Sequence, residues 1–141
     1  MLVRCLYASR ASEPDNDNVF ASIVAQSRKN NLPIGVTGLL CMAGGVFIQA
    51  LEGGRDEVSE LYGKIASDTR HRHVRLLSYG EIERRNFAQW SMGKVDIAAL
   101  NSAVLLKYYR RAELDPFSAP AEATQALLHE LVETGAIGSR G

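Results

Sequence analysis

Apolar and polar positions along the chain switch repeatedly between a period of two and a period near 3.6, and the switches mark out the elements. Leu2 to Ala8 alternates, with Val3, Cys5 and Tyr7 on one side and Leu2, Arg4 and Leu6 on the other, which predicts a strand. A polar turn through Pro14, Asp15, Asn16 and Asp17 supplies helix-capping residues. Phe20, Ile23, Val24 and Ser27 then repeat at helical spacing, and Asn30, Asn31 and Pro33 end that helix. Gly38 to Met42 and Val46 to Glu52 read as two strands around Gly44-Gly45, a pair suited to a tight hairpin needing positive φ. Val58, Leu61, Tyr62 and Ile65 form a second helical stripe, with Asp56 and Glu57 in its first turn. Val74 to Ile82 and Trp90 to Val95 predict a fourth and a fifth strand, separated by the polar stretch Glu83 to Asn86.

The order is therefore βαββαββ. Right-handed crossovers turn it into a ferredoxin-like α+β fold: a five-stranded mixed sheet, two helices on one face, the fifth strand an addition. In the third strand Phe47, Gln49 and Leu51 face one side, and Val46, Ile48 and Ala50 on the other are equally apolar, so both faces need cover. The first two helices cover one face. For the other, Ile97, Leu100 and Val104 predict one helical face, and Thr124, Leu127, Leu128 and Leu131 predict a second beyond Pro116 and Pro120. The expected division is a domain over residues 1–95 and a C-terminal helical extension over 96–141, lying on the sheet or at an oligomer interface. The tail from Gly135 to Gly141 is expected to fray.

Length and composition narrow the function. The 141 residues suit one domain with one sizeable core, and 46% hydrophobic with 23% charged residues is an ordinary globular composition. Lys plus Arg (16) balances Asp plus Glu (16), leaving no excess field for a nucleic-acid backbone or an anionic membrane. The uncharged stretch Asn30 to Leu51 is long enough to span a bilayer, about 20 helical residues, but Pro33, Gly35, Gly38 and the Gly44-Gly45 pair break any helix. No basic and apolar leader opens the chain, and two cysteines, Cys5 and Cys41, form no disulfide framework, so a cytoplasmic protein is expected. Phosphate-loop, dinucleotide, nucleophile-elbow and zinc-protease motifs are absent from the sequence.

Two polar residues stand where the strand pattern expects apolar ones. An unpaired buried amide costs about 1–3 kcal/mol, so Gln49 in the most hydrophobic strand needs a partner, and Tyr7 has the same need on the first strand. If those strands are neighbours, as the ferredoxin-like order requires, phenol and amide can meet. A satisfied core pair is the competing reading. Asn31 reads as a C-cap tolerant of the left-handed conformation or as something more. Arg70, His71 and His73 form a basic turn whose two histidines have no further metal ligands at useful spacing and read as surface residues. Trp90 and Met92, two apart, are expected on one face of the fifth strand, as ordinary core or as a cofactor wall.

Six motifs in order across Leu2 to Val95 make this segment resemble a BLUF domain, the flavin-binding sensor of blue light. They are Leu6-Tyr7-x-Ser9, Gln26-Ser27-Arg28-x-Asn30-Asn31, Val36-Thr37-Gly38-Leu39-Leu40, Phe47-x-Gln49-x-Leu51-Glu52-Gly53, Asp68-x-Arg70-His71 and Arg85-x-Phe87-x-x-Trp90-Ser91-Met92. The residues after Val95 are similar, more loosely, to the tail of short single-domain members. The resemblance implies non-covalent FAD, Tyr7 as photochemical electron donor, and Gln49 as the amide between phenol and flavin. It further implies Asn31 at the polar ring edge, Ile23 and Ile65 around the ring, Arg70 bonding the ring edge, His71 near the phosphate-bearing chain, and Trp90 and Met92 as signal relay. It implies a sensor rather than an enzyme, whose signal passes to an unidentified downstream protein; the apolar second sheet face and the C-terminal helices predict a homo-oligomer of two or more chains, and the charge balance predicts neither nucleic acid nor membrane as partner. Two other classes compete: a small flavin-dependent redox enzyme on the same scaffold, and a chromophore-free dimeric metabolite sensor with Tyr7 and Gln49 as mere core.

Overall fold

The computed structural model describes residues 1–13 and 17–137. Pro14, Asp15 and Asn16 of the expected capping turn, and the last four residues of the expected frayed tail, lie outside them. The order of elements is β1 (Leu2–Ala11), α1 (Asp17–Asn31), β2 (Thr37–Ala43), β3 (Val46–Gly54), α2 (Arg55–Ala66), β4 (His71–Ile82), β5 (Gly93–Asp96), α3 (Ser102–Leu106) and α4 (Ala121–Glu133). The sheet runs β4-β1-β3-β2-β5, antiparallel throughout except for the parallel pair β2 and β5, which is the ferredoxin-like order with an added edge strand. Gly44 and Gly45 both take positive φ, 56° and 76°, as the hairpin turn between β2 and β3 requires.

The two faces of β3 separate two cores. Phe47 and Leu51 pack with Phe20 and Val24 of α1 and Val58 of α2 on one face, where the Phe20 and Phe47 rings stack at 6.4 Å. Val46, Ile48 and Ala50 pack with Leu127, Leu128 and Leu131 of α4 on the other. The segment after β5 is not the single helix that Ile97, Leu100 and Val104 suggest. Asp96 caps a 3-10 turn over Ile97–Ala99, accepting from the Ala98 amide at 3.1 Å; the chain extends at Leu100, and Asn101 restarts it as the five-residue α3 by accepting from Ala103 at 2.9 Å. Two closely spaced capping side chains thus cut one apolar stripe in two.

A larger difference concerns the fifth strand, which begins at Gly93 and not at Trp90. Trp90 and Met92 therefore do not share a strand face: Trp90 belongs to the core beneath α4, and Met92 to the core beneath α1 and α2. The chain before Gly93 has no ladder and is fastened by side chains instead. Arg85 donates to the Gly35 carbonyl at 2.7 Å and to Thr37 Oγ1 at 3.0 Å. The fully buried Glu52 carboxylate accepts from the amides of Asn86 (2.9 Å) and Phe87 (2.6 Å) while holding Arg4 at 2.6 Å.

Candidate functional site

β1 and β3 are neighbours, and Tyr7 and Gln49 are direct cross-strand partners on the face beneath α1 and α2. Both side chains are buried, 3% and 2% exposed, so each must find its partner inside the protein. The Tyr7 hydroxyl donates to Gln49 Oε1. The other end of the amide is poorly matched: Nε2 donates to the Met92 thioether at 3.5 Å, and sulfur is a weak acceptor. Burial, reinforced by the nearby ionisable groups Cys5, Tyr62 and Asp68, pushes the Tyr7 phenol well above its ordinary pKa of 10.0. The Tyr7 ring also meets Tyr62 and His71 edge-on, with centroids 5.7 and 6.2 Å away.

Above this pair lies a cavity of about 300 Å³, within the usual range for ligand pockets. Its floor is Tyr7, Gln49, Leu40 and Phe47; Ile23 of α1 and Ile65 and Leu61 of α2 line its sides. It runs from these buried groups out to exposed ones at Gln26, Asn30 and Lys64. Asn31 also lines it, 2% exposed, with Nδ2 donating to the Ser91 carbonyl at 3.3 Å. Asn31 keeps right-handed helical geometry and is no left-handed C-cap; the positive φ falls on Gly35 after a further 3-10 turn.

Arg70 stands on the cavity wall, bound to Asp68 Oδ2 at 2.6 Å and Gln26 Oε1 at 2.7 Å. Its hydrogen bond lowers the Asp68 pKa against the opposing effect of burial. His71 is buried rather than the surface residue its basic surroundings suggest, with Nδ1 2.7 Å from Ser9 Oγ and Nε2 2.6 Å from the Ile65 carbonyl. A carbonyl only accepts, so Nε2 carries a hydrogen, while Nδ1 is paired with the serine hydroxyl. His73 is exposed, at positive φ (57°).

The fold thus brings Tyr7, Gln49, Ile23, Ile65, Asn31, Arg70 and His71 around one cavity. Met92 touches Gln49 within the same core, and Trp90 lies across the sheet in the other. Residue types alone gave no reason to single out Gln26 and Asp68 as the groups holding Arg70, or Ser9 as the partner of His71, although all three lie inside the quoted motifs.

Sheet order, cavity and buried phenol-amide pair define a ferredoxin-like small-molecule-binding domain. Residues 2–93 match the family described as BLUF, sensors of blue-light using FAD, and the chain belongs to that family. It is a sensory domain of a flavin-using family. Among its relatives is photoactivated adenylate cyclase subunit beta of Euglena longa, 32% identical over 92 residues, which cover 64% of this chain and 11% of the cyclase. The chain therefore spans about a tenth of that relative's length. Its fold is similar to BlsA in its photo-activated state (TM-score 0.83, 28% identity, 100% of this chain and 99% of that one) and to the BLUF protein BlrB in its dark state (0.80, 30%, 95% and 96%). The cavity suits a flavin: branched aliphatic sides for a flat ring, the under-bonded Gln49 amide and Asn31 for its polar edge, and cations at the rim.

Proposed function

We propose that the chain is a blue-light photoreceptor holding FAD non-covalently between α1 and α2, with Tyr7 as electron donor and Gln49 as hydrogen-bond switch. The observation that carries this reading is the Tyr7 hydroxyl bonded to Gln49 Oε1 while Gln49 Nε2, at the cavity floor, has a weak thioether acceptor. Ile23 and Ile65 would flank the ring, Asn31 its carbonyl and imide edge, Arg70 the ring edge, and His71 the chain leading to the phosphates. A bound oxidised flavin supplies blue-light absorption and, when excited, a strong electron acceptor. Tyr7 would supply that acceptor with one electron, release its phenolic proton along the bond to Gln49, and take both back on return to the resting state. Gln49 is left with its donor and acceptor ends exchanged, which alters its contact with Met92. No net chemistry results, and thermal return resets the pair.

Output leaves through the residues after Val95. β5 leads directly into the C-terminal segments that pack on the opposite sheet face. An unidentified signalling protein reads that surface, and a symmetric homo-oligomer, a dimer or larger, is the default assembly. Free Cys5 and Cys41 fit a reducing cytoplasm, and among the described residues no helix is long and apolar enough to cross a membrane.

The test is the chromophore. Purified protein should be yellow and should release FAD on heating, identified by chromatography. A colourless protein that takes up no flavin would overturn the proposal, and release of FMN alone would replace FAD.

A further inference from the structure

The chain just before β5 has neither helix nor strand to satisfy its carbonyls, yet three successive ones are each taken by a donor. Trp90 O accepts from the Gly38 amide at 3.1 Å, Ser91 O from Asn31 Nδ2 at 3.3 Å, and Met92 O from Arg28 Nε at 2.9 Å. Arg28 and Asn31 stand three apart on one face of α1. The arginine bond is charge-assisted and the shortest of the three. Asn31 and Ser27 line the cavity, whereas Arg28 is not among its lining residues. Met92 is the residue on which these contacts converge: its carbonyl is held by Arg28, and its fully buried side chain lies against the Gln49 amide.

We propose that Arg28 is a positioning residue that fixes Met92 through its backbone and so holds the thioether beside Gln49. The inference rests on the reading of Gln49 as the switch. A thioether is a soft, flexible side chain with little directional hold of its own, so the backbone must set where its sulfur sits. Arg28 Nε offers one hydrogen from a rigid plane, which defines a direction that a lysine ammonium does not. Without that bond, the return of Met92 to the arrangement seen here loses its strongest anchor.

Two readouts on FAD-loaded protein test this, with flavin affinity as a third. In darkness, hydrogen exchange of a peptide spanning Ser91 to Gly93 should be at least tenfold faster in Arg28→Ala than in wild type. After blue light, thermal recovery of the absorption spectrum should slow at least threefold, with flavin affinity within twofold of wild type. Arg28→Lys should fall between the two, and Lys29→Ala, the exposed neighbour, should match wild type. If Arg28→Ala does not fold, Arg28→Gln takes its place with the same expected direction. Wild-type exchange and recovery in the variant would overturn the proposal, as would lost flavin affinity with unchanged exchange, which would make Arg28 a cofactor contact. A wild-type protein without a light response would remove the photochemical reading, while the dark exchange arm would still decide whether Arg28 holds Met92.

Discussion

At the scale of single residues, the polar groups at the cavity divide into those bonded only to protein and those with capacity left for a ligand. His71 has both ring nitrogens engaged by protein and so belongs to the first group. Arg70 is bound to Asp68 and Gln26 but retains a partly exposed guanidinium on the cavity wall. A hydrogen bond from a charged group contributes about 1.5–3 kcal/mol, so Arg70→Ala should weaken flavin binding by about one to two powers of ten. Titration of apoprotein checks this, and unchanged affinity would make Arg70 only a partner of Asp68. Tyr7 and Gln49 were legible as a candidate pair because each breaks the apolar pattern of its strand, and strand order then brings them together. Arg28 was not, because its partner is a backbone carbonyl 64 residues away and carries no side-chain signature.

Among the elements, the strands and the first two helices followed from periodicity, and the failures came where side chains replace a ladder. Trp90 to Val95 reads as alternating, but its first residues are tied to Gly38, Asn31 and Arg28, so Trp90 and Met92 diverge into different cores. Glu52 anchors the same stretch at its other end. Glu52→Ala leaves Arg4 and two amides without their carboxylate and should destabilise the fold by about 3–5 kcal/mol in urea unfolding. A change under 1 kcal/mol would mean that water replaces the carboxylate. If the signal leaves through β5, illumination should alter hydrogen exchange after Val95 more than in α1, and Met92→Ala should reduce that change while keeping the spectral shift. Equal dark and light exchange from Asp96 to Thr134 would exclude this route.

For the whole molecule, two cores on one sheet imply a particular alkaline limit. Burial raises Cys5 from 9.0 to about 11, Tyr109 from 10.0 to about 12, and the Tyr7 phenol well above 10.0, with Cys41 moved the same way. Each group binds its proton more tightly folded than unfolded. Their stabilising effect is complete below the unfolded pKa values and is lost as pH rises past about 9 for the thiols and about 10 for the phenols. The urea midpoint should therefore fall steeply from pH 9 to 12, and Tyr7→Phe should flatten the part above pH 10. An identical alkaline limb in that variant would show that Tyr7 is solvated.

As proposed, Tyr7 drives the light response through Gln49 and is not needed to hold the cofactor. Light-minus-dark absorption spectra of wild type and Tyr7→Phe, recorded on flavin-loaded protein, test it most directly. Wild type should show a reversible red shift without bleaching, since a new hydrogen bond from Gln49 to a bound flavin would lower its excited state, and Tyr7→Phe should stay yellow, folded and without that shift. A normal reversible shift in Tyr7→Phe would contradict the assignment of Tyr7 as electron donor.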